Sequence, residues 1–213
     1  MSDAAPDVFY PIVPDAHWIA RLAPLGVRTV QLRLKGADAT DVGTQIAESL
    51  AVARQYGCQV IVNDYWREAI AAGADYIHLG QEDLAAADLH AIKGAGLRLG
   101  VSTHSEDELA IALAAGPDYV ALGPIYETKL KAMSWAPQGL AQIGRWKGRI
   151  GSLPLVAIGG ITPERASDVL AAGAQSVAVI TDFMTASDPA ERIRLWLNWA
   201  AQVRTFCHRS VAS

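Results

Sequence analysis

Short apolar runs recur along the chain, and each follows an alanine-rich stretch closed by a glycine. Residues 22–30 (LAPLGVRTV), 69–77 (AIAAGADYI), 112–120 (ALAAGPDYV) and 170–177 (LAAGAQSV) share this pattern, with looser copies around Gly57 and Gly96. The alanine-rich stretches predict helices, and glycine closes a helix in a left-handed conformation without steric penalty. The apolar runs, such as Val60-Ile61-Val62 and Leu155-Val156-Ala157-Ile158, predict short strands buried on both faces. Helix and strand in alternation predict a parallel sheet with helical crossovers. Eight strands are expected, near residues 8–13, 29–34, 60–63, 76–79, 97–101, 119–122, 155–158 and 176–180, with a last helix over 189–206. Eight β/α units predict an α/β fold, a single-domain (β/α)8 or TIM barrel spanning 1–213, with its active site at the C-terminal strand ends. An open doubly wound sheet is the alternative, but no Gly-x-Gly-x-x-Gly follows the first strand.

One strand breaks the apolar rule. In residues 30–35, Val-Gln-Leu-Arg-Leu-Lys, alternation sends Gln31, Arg33 and Lys35 to one face and Val30, Leu32 and Leu34 to the other. Taken alone this is a half-exposed strand with its polar side in water. In a barrel the same face meets the mouth, where two cations call for an anion.

The 213 residues are 51% hydrophobic, enough for a sizeable core, and carry a net charge of −4. That balance gives no electrostatic footprint for nucleic acid. No apolar segment is long enough for a membrane span, and Met-Ser-Asp-Ala-Ala-Pro-Asp is not an export signal. Cys58 and Cys207 have no metal-type spacing and fit thiols in a reducing compartment. A cytoplasmic protein is expected.

The strand ends carry a short polar inventory. Asn63-Asp64 ends the third strand, His78-Leu-Gly-Gln81-Glu-Asp83 the fourth and Gly100-Val-Ser102-Thr-His104 the fifth. Asp64 and Asp83 precede helical stretches and would serve as N-caps. On adjacent strand ends beside a cationic strand they would equally hold Mg²⁺, which takes one or two carboxylates plus substrate phosphates. Ser102 is not needed as a cap, because Ser105 and Glu108 already have capping-box spacing. His78 and His104 are expected to be structural, and Glu82 and Glu127 solvated. Gly159-Gly160-Ile-Thr162-Pro163 places two glycines, a cap and an N1 proline where a seventh strand enters its helix. This is a tight turn or, at that position in a barrel, a phosphate cradle of backbone amides. The long stretch 123–137 after the sixth strand is expected to be functional.

These motifs, in this order, resemble the thiamine phosphate synthase family along nearly the whole chain. The shared residues are Gln31-x-Arg33-x-Lys35, Asn63-Asp64, His78-x-Gly80-Gln81-x-Asp83, Gly100-x-Ser102, Gly123-Pro124-x-Tyr126-x-Thr128 and Gly159-Gly160-Ile161. The resemblance implies coupling of hydroxymethylpyrimidine diphosphate to a thiazole phosphate (or its carboxylate), with Mg²⁺ and release of pyrophosphate. It implies Asp64 and Asp83 as metal ligands, and Gln31, Arg33, Lys35, Asn63 and Lys131 around the diphosphate, with Ser102 facing the leaving group. Thr128, Gly160, Ile180 and Thr181 would receive the thiazole phosphate; Arg33, Lys35, Ser102 and Lys131 would carry the chemistry. The chain departs from the family at Leu130, where a second threonine is usual.

Two rival functions are open to the same sequence. A thiazole tautomerase of the same superfamily works without metal, typically lacks both carboxylate motifs and has His where this chain has Pro124. The other is a non-catalytic phosphate-binding homologue. Partners are expected to be small molecules only. Trp196 and Trp199 are expected to seal a barrel flank, with a homo-oligomer contact as the alternative.

Overall fold

A computed structural model describes residues 5–36, 39–128 and 136–211. Eight parallel strands close into a barrel in sequential order: β1 (Phe9–Val13), β2 (Thr29–Leu32), β3 (Gln59–Asn63), β4 (Tyr76–Leu79), β5 (Arg98–Thr103), β6 (Tyr119–Leu122), β7 (Leu155–Ile158) and β8 (Ser176–Val179). β8 pairs with β1 through Phe9 against Val177, which leaves no sheet edge among them. The expected barrel is therefore present.

Alternation divides the core in two. Outward residues such as Leu32, Val62, Leu79, Val101 and Val179 pack against the helices, whereas Tyr10, Ile12, Ile61, Tyr76, Tyr119, Ala121, Val156 and Ala178 fill the interior. The interior is crowded enough to dictate a glycine. A Cβ on Gly100 would collide with the Tyr119 ring, so only glycine fits opposite that tyrosine.

The strand ends differ from expectation where the chain turns toward the mouth. β2 stops at Leu32 rather than Leu34: its ladder with β3 ends at Leu32–Val62, because β3 is turned aside at Asp64. Arg33 still donates its N–H to the Val13 carbonyl, but Lys35 has left the sheet and is exposed. β5 runs longer than expected, carrying Ser102 and Thr103 within the strand.

The last helix, Pro189–Val211, covers the opening between β1 and the helix Pro163–Ala171. Trp196 stacks on Phe9 with ring centroids 5.0 Å apart and gives its indole N–H to Asp182, while Trp199 donates to Ser167. Both tryptophans are buried and seal the flank. No helix among the described residues is long and apolar enough to cross a membrane.

Candidate active site

Asp64 is the sharpest feature of the barrel mouth. Among the described residues it is the one non-glycine with positive φ, at 68°, a conformation that persists only where the surroundings enforce it. It caps no helix: the residue before the helix Trp66–Ala71 is Tyr65. Asp83 is likewise no cap, since it lies in the first turn of Gln81–Ala86, behind Gly80. The N-cap alternative falls for both.

Instead the two carboxyls meet. Burial, the Asp83 charge and a hydrogen bond to Asp83 lift the Asp64 carboxyl to about 6, against the Arg33 guanidinium and the Asn63 amide, which favour its charged form. Asn63 donates to the Asp64 carboxylate. Arg33, Asn63, Asp64 and Asp83 thus form one cluster over the ends of β2, β3 and β4. Hard oxygen donors held together against repulsion suit a divalent cation. Gln81 ties this rim to the next strand by donating its amide to the Ser102 carbonyl at 2.6 Å.

Gln31 lies deeper than an open anion face would place it. It is 2% exposed, and its amide nitrogen donates to the Tyr10 hydroxyl at 2.7 Å. Tyr10 and Tyr119 are joined hydroxyl to hydroxyl at 3.1 Å; Tyr119 meets His78 Nδ1 at 2.7 Å, and His78 Nε2 meets Ser102 Oγ at 2.8 Å. Burial, with a lesser push from Arg33, pulls the His78 imidazole down to about 3, so the ring is neutral. Burial moves both tyrosine hydroxyls well above their ordinary value, and they keep their protons. Tyr10 and Tyr119 do not stand out among polar strand ends, because an inward aromatic reads as core filling. The signal was present in the alternation, which sets both on interior positions along with His78.

A second cluster lies across the mouth. Gly159 and Gly160 have φ of 103° and 64°, and a Cβ on Gly160 would stand 2.5 Å from the Glu127 carbonyl oxygen. The turn after β7 therefore presses against the loop after β6, where Tyr126 donates its N–H to Gly159. Thr128 lines a cleft here with Tyr126, Glu127 and Arg165. Arg165 lies over the Tyr126 ring at 4.7 Å and donates to the Gly160 carbonyl at 3.0 Å. It is a cation beside the glycine pair that spacing in the sequence did not bring out. Thr162 takes the N-cap position of Pro163–Ala171, though its hydroxyl makes no cap bond. Ile180 and Thr181, half-buried, follow the end of β8 on the same side.

His104 has the structural role expected of it: its ring bonds Glu108, and its carbonyl accepts from Gln138. Ser105 caps its helix by accepting from the Glu108 N–H. Lys131 and Leu130 lie outside the described residues.

The fold and these clusters define a (β/α)8 barrel with two polar clusters facing each other across its mouth. The chain matches the family model for thiamine monophosphate synthase over residues 9–183. It is 55% identical over 199 residues to a thiamine-phosphate synthase of Rhizobium etli, covering 93% of this chain and 98% of that one. To the Citrobacter koseri thiamine-phosphate synthase it is 50% identical over 179 residues, 84% of this chain and 85% of the other. Among solved structures, thiamine phosphate pyrophosphorylase from Pyrococcus furiosus superposes with a TM-score of 0.80 at 24% identity, covering 93% and 96% of the two chains. The chain belongs to the thiamine monophosphate synthase family.

Proposed function

We propose that this barrel joins hydroxymethylpyrimidine diphosphate to a thiazole phosphate, forming thiamine monophosphate and releasing pyrophosphate. The observation that carries the reading is Asp64, held at positive φ with its carboxyl against Asp83 and beside Arg33. Positive φ and a like-charged neighbour both work against stability, and a metal and diphosphate site would account for them.

Asp64 and Asp83 would hold Mg²⁺, and its charge would offset that of the diphosphate. Arg33, Lys35, Asn63, Ser102 and Lys131 supply donors to the phosphate oxygens as the bond from the pyrimidine methylene to oxygen breaks. The electron pair leaves with pyrophosphate, and the ring stabilises the cation left behind. The thiazole nitrogen then gives its lone pair to that methylene carbon. The nucleophile is uncharged from the start, so no general base is required, and aiming plus charge neutralisation are the protein's tasks. Thr128 and the Gly160 turn, with Ile180 and Thr181, fix the thiazole phosphate. Small charged substrates and a free buried Cys58 suit a cytoplasmic enzyme.

The test is pyrophosphate release by the purified protein given both substrates. Release that needs Mg²⁺ and the thiazole phosphate, and falls about 10²–10³-fold in Asp83→Ala, is the expected result. No release under any condition, with the thiazole phosphate still bound, overturns the synthase reading in favour of a silent binder.

A further inference from the structure

Five polar side chains cross the barrel interior in single file, from Gln31 on β2 through Tyr10, Tyr119 and His78 to Ser102 on β5. We propose that they form a one-way hydrogen-bond wire that fixes the His78 tautomer and leaves the Ser102 hydroxyl proton free to be donated at the mouth.

Each link determines the next. The Gln31 amide nitrogen meets the Tyr10 oxygen at 2.7 Å, and an amide nitrogen can only donate. Tyr10 therefore accepts there, and its own proton goes to its other neighbour, the Tyr119 oxygen 3.1 Å away. Tyr119 then has its proton left for His78 Nδ1, at 2.7 Å. A neutral imidazole has one acceptor and one donor. With Nδ1 accepting, the proton sits on Nε2 and points at Ser102 Oγ, 2.8 Å away. Ser102 is left as an acceptor toward the interior and a donor toward the outside, where its residue is half-exposed.

The packing holds this order in place. Tyr119 stacks on the His78 ring at 5.5 Å and meets Tyr10 edge-on at 6.3 Å, and the missing Cβ of Gly100 makes room for it. Tyr10, Tyr119 and His78 are buried, so no exchange with bulk water competes with the links. Turning the Gln31 amide over would reverse every link and make Ser102 donate inward to His78.

This rests on the synthase reading only for its use: a donor at Ser102 suits a leaving diphosphate. Gln31, Tyr10, Tyr119 and His78 are then positioning residues for that donor. The wire is tested without substrates, by ¹⁵N NMR of histidine-labelled full-length protein, with the His78 signals assigned by their loss in His78→Asn. The expected spectrum has an unprotonated Nδ1 and a protonated Nε2. A protonated Nδ1, or an even mixture of tautomers in the wild type, overturns the proposal. Tyr119→Phe keeps the ring but removes the hydroxyl. It should release His78 into a mixture and lower kcat about tenfold, the equivalent of one net hydrogen bond, with the KM for thiazole phosphate unchanged. An unchanged tautomer together with an unchanged kcat overturns it. If pyrophosphate release fails altogether while the Nε2–H form is present, the wire stands and the synthase reading falls.

Discussion

Asp64 shows what a site costs at the scale of one residue. Its backbone is strained, and its carboxyl is pressed against Asp83, a like charge, in a half-buried position. In metal-free protein Asp64→Asn removes that repulsion and substitutes a residue that tolerates positive φ better than most. Discounted for partial exposure, the gain is about 1 kcal/mol, or a melting temperature higher by roughly 2–4 °C. Differential scanning calorimetry with and without Mg²⁺ checks this: the variant should melt higher without metal and gain nothing from it. A lower melting temperature would mean that Asp64 supports the fold rather than a ligand. The chemistry of Arg33, Asn63, Asp64 and Asp83 was legible in the sequence because strand ends in a barrel share one face. The partner of Gln31 was not. Alternation turns each interior side chain inward, but which hydroxyls then meet depends on strand register, and that is fixed by three-dimensional packing.

At the scale of elements, boundaries follow from what each strand has to pair with. β2 was expected to run to Leu34, since its alternation continues, yet its ladder with β3 ends at Leu32, where β3 reaches the Asn63-Asp64 turn. A sequence pattern reports which face a side chain takes; it does not report where a neighbour stops. The glycine pair after β7 was legible as a cradle, but its second reason for being small was hidden. Gly123, Gly159 and Gly160 are also where two loops touch, with Ile158 against the first and Pro124 and Tyr126 against the others. Trp196 could be read from its helix as a flank seal, and the structure adds its stack on Phe9 and its bond to Asp182. Because that side chain is fully buried, Trp196→Ala should cost about 3–5 kcal/mol in urea unfolding. A cost below about 1 kcal/mol would show that the last helix is dispensable to the barrel.

Across the whole molecule, closure of the barrel in sequential order sets β2, β3 and β4 opposite β6, β7 and β8. The carboxylates and Arg33 therefore stand on one wall, and the glycine pair, Thr128 and Arg165 on the other. Charge alone would drive two anionic substrates apart, so such a separation would let each be held by its own wall while the reacting carbon and nitrogen meet between them. The two walls should then fail independently. In thermal-shift measurements each ligand at about 100 times its Kd contributes about 2.7 kcal/mol, or roughly 5–10 °C for a chain of this length. Asp83→Ala should lose the shift produced by pyrophosphate with Mg²⁺ and keep that of the thiazole phosphate. Gly160→Ala, whose Cβ would meet the Glu127 carbonyl, should do the reverse. Loss of both shifts in either variant would mean that the mouth acts as one anion site, and the assignment of a separate ligand to each wall would fail.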